Sequence, residues 1–192
     1  MTDSLPDMRR PQVGEAAPEV TLTDVVTRSS ILSYQLWEKK PAVLVFMRYL
    51  GCVFCREHTA RLQEDISAFR ELGVTIALIN FESEDATQRY CESRNLVEPF
   101  LCLTDKEKLA YRAFNLSRTH AGRIFTPQVW KRGFQAALHG HLNSVPKGDP
   151  FQMPGVFIVD TEGIIRYAYR SKDASDNPPT EQILALLREL IP

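Results

Sequence analysis

The run Ala42-Val43-Leu44-Val45-Phe46-Met47 leads directly into Gly51-Cys52-Val53-Phe54-Cys55, and a helical pattern follows at once. An uninterrupted apolar run of strand-forming residues fits a strand buried on both faces, as at the centre of a sheet flanked by helices. After the cysteines, Leu62, Ile66, Phe69 and Leu72 recur at spacings that make one apolar helix face, and Gly73 stops the helix. The pair Cys52/Cys55 therefore sits at a strand-to-helix junction, a context that makes the otherwise ambiguous Cys-x-x-Cys spacing a strong signal.

The rest of the chain repeats the alternation. A short strand is expected around Val20 to Leu22, and Ser29 or Ser30 can cap a short helix through Trp37. Val74 to Ile79 reads as a second buried strand, Ser83 to about Asn95 as a helix, Phe100 to Leu103 as a third strand and Lys106 to Phe114 as a short helix. Val156 to Val159 and Ile164 to Tyr169 form a β-hairpin around Thr161-Glu162-Gly163, and a helix opens near Asp176 or Asn177 and carries Ile183, Leu184, Leu187 and Leu190 on one face. Such an order predicts an α/β fold with a central mixed sheet, parallel pairing with right-handed crossovers, and helices on both faces. Between about 115 and 153 the rhythm breaks among glycines and prolines, which reads as an insertion. Residues 1–17 read as a flexible N-terminal arm and 18–192 as one domain.

Charge excludes some partners. Lys and Arg total 23 against 24 Asp and Glu, for a net charge of -1, without a basic run; this argues against nucleic acid or an anionic membrane. No apolar stretch is long enough to span a bilayer, and the N-terminal residues lack the apolar core of a signal peptide. A cytoplasmic location is expected. Four cysteines are too few for a disulfide-stapled secreted scaffold, so a closely spaced pair is reactive or metal-binding rather than structural.

The start of a helix carries unpaired amides and the positive end of its dipole. Both favour a thiolate and lower a cysteine from its free pKa of about 8.5 toward neutrality. A Cys-x-x-Cys spacing puts the two sulfurs within disulfide reach, so that one can attack a peroxide or a disulfide and the other resolve the product. Arg48 and Arg56 flank the pair; Arg56 reads as a solvated first-turn residue, and Arg48 faces the sulfurs or solvent with even weight. Cys91 and Cys102 look like free, buried small hydrophobes. His139 and His141 lack the further ligands a metal site needs, and His58 reads as a packing or solvated residue; no metal and no bound cofactor are expected.

The run from Phe46 to Glu57 resembles the signature of the peroxiredoxin-like proteins of the alkyl hydroperoxide reductase and thiol-specific antioxidant superfamily, which includes the prostamide/prostaglandin F synthases. Two further matches are Gly148 to Asp160 and Tyr169 to Asp176, and the resemblance spans roughly Pro18 to Leu190. It implies a thioredoxin-like fold, a peroxide or small organic substrate, and electrons from thioredoxin or glutathione. Two registers assign the attacking sulfur differently: the Thr-x-x-Cys pattern of peroxiredoxins matches Cys55, with Cys52 in place of the threonine, whereas thioredoxins attack with the first cysteine, here Cys52. Where peroxiredoxins carry an arginine before a strand, this chain has Pro154. Thioredoxins hold a cis-proline there, which implies a cis Met153–Pro154 peptide presenting Met153 backbone groups to substrate.

Three uses of the site follow. The first is a thiol oxidoreductase cycling a Cys52/Cys55 dithiol and disulfide, with Arg48, Met153 and Pro154 positioning the substrate. A variant is a biosynthetic enzyme whose insertion, through Ile124, Phe125, Trp130, Phe134 and Phe151, walls a pocket for an organic molecule. The last is a non-enzymatic redox sensor using the same pair.

Overall fold

β3 (Ala42–Phe46) is buried along its whole length. In the computed structural model, which describes residues 10–116, 118, 149 and 151–191, it pairs in parallel with β4 (Thr75–Asn80) and antiparallel with β6 (Gly155–Val159). Among the described residues the sheet has seven strands in the order β2-β1-β5-β4-β3-β6-β7. Its remaining members are β1 (Thr21–Asp24), β2 (Ser30–Leu32), β5 (Phe100–Thr104) and β7 (Ile165–Arg170). β4 and β5 are parallel, whereas β6 and β7 form the expected antiparallel hairpin.

Alternation along β3 divides the interior in two. Val43 and Val45 face one side with Leu62, Phe69, Ile183 and Leu187, contributed by α1 (Val53–Glu64), α2 (Ile66–Glu71) and α5 (Thr180–Leu190). Leu44 and Phe46 face the other with Tyr90, Tyr111, Phe114 and Phe157, beside α3 (Glu84–Ser93) and α4 (Leu109–Ala113). There Phe46 lies edge-on to Tyr111 and Phe157, with ring centroids at 5.1 and 5.8 Å, the geometry that ring quadrupoles favour.

Several expectations change in detail. The single helix after the cysteines is two, because Asp65 leaves the helical conformation and serves as the cap of both α1 and α2; the apolar stripe continues across this break, so periodicity did not register it. The chain at Ser30 joins the sheet edge as β2 by pairing with β1, and only a 3-10 turn, Ser33–Leu36, follows. α4 starts later than Lys106, since Asp105 accepts the amides of Leu109 and Ala110, each at 2.8 Å. Of the stretch read as an arm, Gly14 and Ala17 donate to Ile165 and Gly163 at 2.8 Å, an edge pairing onto the hairpin.

Two expectations are corrected outright. Cys91 and Cys102 are not free: they form a disulfide between α3 and β5, with Cα atoms 6.7 Å apart. The turn from Arg94 to Pro99 folds the last turn of α3 back over β5, a juxtaposition that sequence separation does not reveal. Nor is Met153–Pro154 cis; the cis peptide among the described residues is Glu98–Pro99. Pro154 instead immediately precedes β6, and its carbonyl accepts from the Ser171 amide at 3.3 Å, prolonging the ladder with β7.

Most of the insertion, including Ile124, Phe125, Trp130, Phe134, His139 and His141, lies outside the described residues. Its described flanks are joined: Arg118 bridges to Gln152, and Asp149 pairs with Lys108 at 2.9 Å and Arg118 at 2.8 Å. No helix among the described residues is long and apolar enough to cross a membrane.

Gly155 is the tightest glycine among the described residues. A Cβ there would meet Leu116 Cδ2 at 2.6 Å and the Tyr169 carbonyl at 3.0 Å. The leucine can rotate, but the carbonyl is fixed in the β6–β7 ladder. Gly155→Ala is expected to destabilise the protein by about 1–3 kcal/mol, the usual range for overpacking. Urea unfolding of the variant checks this; an unchanged midpoint would mean that the neighbours give way freely.

Candidate redox-active site

The loop between β3 and α1 is held from below and from the side. Tyr111 is buried, and its hydroxyl donates to the Met47 carbonyl at 2.6 Å and lies 2.9 Å from that of Ile79, fixing the points where β3 and β4 end. Glu82, just past β4, accepts the Leu50 amide at 2.7 Å. Its own backbone is fixed by Asn80 Oδ1, which accepts the Glu82 amide at 2.8 Å, and by Thr104 Oγ1, which donates to the Glu82 carbonyl. Chain reversal is completed by the Cys52 amide donating to the Tyr49 carbonyl at 3.1 Å.

Cys52 is the N-cap of α1, in extended conformation, and Cys55 lies in its first turn. Both are reduced and buried, at 1% and 4% exposure. Arg48 is buried with them. Its Nη1 lies 3.6 Å from Cys52 Sγ, its Nε donates to the Gln152 carbonyl at 3.3 Å, and its amide lies 3.4 Å from Cys55 Sγ. The guanidinium is therefore aimed at the sulfurs, which resolves its even-weighted placement.

These contacts separate the two thiols. The Cys55 S–H donates to the Cys52 sulfur, and Arg48 and the amides of Cys55 and Phe54 act in the same direction; against the cost of burial they pull the Cys52 thiol down to about 6. Cys55 is pushed well up, because it is the donor to Cys52, is buried, and faces the Cys52 charge. These contacts, with Arg48 Nη1 3.6 Å from Cys52 Sγ, favour the thiolate at Cys52 over Cys55. Of the two registers open from sequence, the structure favours attack by Cys52. Tyr49 is also buried beside the pair, and desolvation together with the Cys52 charge raises its hydroxyl to about 12, so it remains protonated.

The other expected site residues fall as follows. Met153 and Pro154 are buried, but the Met153 carbonyl accepts from Gln152 Nε2 at 3.3 Å rather than standing free for substrate. Arg56 is half-buried at the helix start. His58 is buried in α1 near the Pro178 backbone, and desolvation lowers it to about 4. No cluster of metal-binding side chains occurs among the described residues. Sequence reasoning passed over Gln152 and Glu82. Both were recoverable in principle, since a buried arginine requires a carbonyl acceptor and a loop at a strand end requires a cap on its amides.

The AhpC/TSA family model matches residues 13–168. The thioredoxin-like protein AAED1, chloroplastic, of Arabidopsis thaliana is 26% identical over 159 residues, covering 78% of this chain and 62% of that protein. The prostamide/prostaglandin F synthase of Danio rerio is 24% identical over 173 residues, covering 86% and 83%. Among solved structures, a peroxiredoxin-like protein from Aquifex aeolicus superposes with a TM-score of 0.67 at 17% identity, covering 94% of this chain and 88% of that one.

Alkylation by iodoacetamide should rise with pH to a plateau at Cys52, with a midpoint near 6. Arg48→Met should move that midpoint upward by about one unit, since it removes a charge close to the sulfur; peptide mapping of the alkylated residue checks both. His58 yields a second pH effect. Its folded value near 4 lies below the unfolded 6.5, so the unfolded chain binds more protons between these values. Stability is complete above 6.5 and falls as the pH drops toward 4, by roughly 3 kcal/mol in all. His58→Leu should flatten that part of the urea-stability profile.

Proposed function

As a member of the AhpC/TSA family, the chain is, we propose, a thiol oxidoreductase that reduces the O–O bond of a hydroperoxide through Cys52 and Cys55. The observation that carries this reading is the Arg48 guanidinium beside the Cys52 sulfur at a helix start. The Cys52 thiolate attacks the nearer peroxide oxygen and the O–O bond breaks. The distal oxygen leaves as an alkoxide or hydroxide, which takes a proton, while Arg48 stabilises the developing negative charge. Cys52 becomes a sulfenic acid. The Cys55 sulfur then attacks it, expelling water and forming the disulfide.

Two electrons must return to the pair. We assign them to a thioredoxin-type dithiol or to glutathione, consistent with a cytoplasmic location, and the chain itself needs no bound cofactor. Since Pro154 stands where peroxiredoxins carry an arginine, Arg48 would be the main electrophilic contact. An endoperoxide presents the same O–O bond, and the name of the Danio rerio relative supports an organic substrate as a second reading.

The test is to mix reduced protein with one equivalent of hydrogen peroxide or of cumene hydroperoxide and to map the product. A Cys52–Cys55 disulfide is expected with either oxidant. Cys55→Ser should retain the first oxidation and stop at a Cys52 sulfenic acid, whereas Cys52→Ser should abolish it. Arg48→Met should slow the first step by about 10²-fold or more, the scale seen when an oxyanion donor is removed. Equal rates in Cys52→Ser and the unmodified protein would overturn the proposal. Slow peroxide oxidation combined with rapid oxidation by a disulfide reagent would move the chemistry to thiol–disulfide exchange.

A further inference from the structure

Away from the Cys52/Cys55 pair, the Cys91–Cys102 disulfide lines a cavity of about 470 Å³ between the last turns of α3, the turn after β1 and the start of β5. Neither Cys52 nor Cys55 lines it. They lie past the C-terminal end of β3, whereas this cavity opens beside the first residues of the parallel strand β5. Its lip carries two exposed valines, Val26 at 72% and Val97 at 47% exposure. The lining contains two carboxylates, Asp24 and Glu92, and no basic side chain.

We propose that Cys91–Cys102 is a second redox couple, opened by a small neutral or cationic thiol that enters this cavity. The cysteines are about 5% exposed, so the attacking group must be slim enough to occupy the cavity itself. The acidic lining sets its charge, because an anionic thiol is repelled while a cationic one is concentrated there. The thiolate attacks one sulfur, the S–S bond breaks, and the other cysteine leaves as a thiolate that takes up a proton. A second thiol then attacks the mixed disulfide and releases the remaining cysteine. Two small thiols are oxidised to their disulfide, and the protein gains two thiols.

The test isolates this couple in the full chain carrying Cys52→Ser and Cys55→Ser, so its result does not depend on the chemistry proposed for that pair. The folded variant is treated at low salt with cysteamine, 2-mercaptoethanol or glutathione, and new thiols at Cys91 and Cys102 are counted after alkylation and peptide mapping. Per unit thiolate, cysteamine is expected to react about tenfold faster than glutathione, with 2-mercaptoethanol between. Glu92→Lys should bring the three rates together or reverse their order, and Val97→Trp should slow all three. If the double variant fails to fold, the chain carrying Cys52→Ala and Cys55→Ala allows the same count. Resistance of the disulfide to all three thiols until denaturant is added would overturn the proposal, as would rates indifferent to thiol charge.

Discussion

A thiolate in a nearly solvent-free position must be matched by positive potential, or its desolvation would cost several kcal/mol. In this protein the match is made by Arg48, by the first amides of α1 and by the Cys55 S–H, all directed at the Cys52 sulfur. Each depends on the path of the chain at one corner of the sheet. β3 must end where it does for Arg48 to turn inward, and α1 must begin at Cys52 for its amides to be free. The aromatic cluster around Phe46, with Tyr111 bonded to the carbonyl that ends β3, fixes that corner from beneath.

The same contacts assign different tasks to two chemically identical side chains. Cys52 receives a cation and two amides; Cys55, one turn along, gives up its hydrogen bond and bears the repulsion of its neighbour. The charged form is thereby favoured at Cys52 and disfavoured at Cys55. Gln152 contributes from a distant part of the chain, since its carbonyl accepts from Arg48 Nε.

The second cysteine pair shows how far a local reading extends. Cys52 and Cys55 announce themselves because helix geometry alone brings residues three apart together. Cys91 and Cys102 lie on a helix and a strand, and only the packing of α3 over β5 makes them partners. Pro154 illustrates the complementary limit. Its position beside a strand start was legible, but the isomer of its peptide bond was not, since a proline's composition and position are compatible with either.

The sequence by itself determined the alternation of strands and helices from β3 through β5, the central buried strand, the hairpin, and the placement of Cys52 and Cys55 at a strand-to-helix junction. All of these are written in hydrophobic period, turn residues and capping, which act over a few positions. Only the tertiary structure decided that Arg48 faces the Cys52 sulfur, that Gln152 and Glu82 hold the loop, and that Cys91 meets Cys102. Those outcomes are set by distances between segments far apart in the chain and by the loss of solvent around them. Burial and charge proximity govern a thiol's proton affinity, and neither exists until the sheet and its helices have packed.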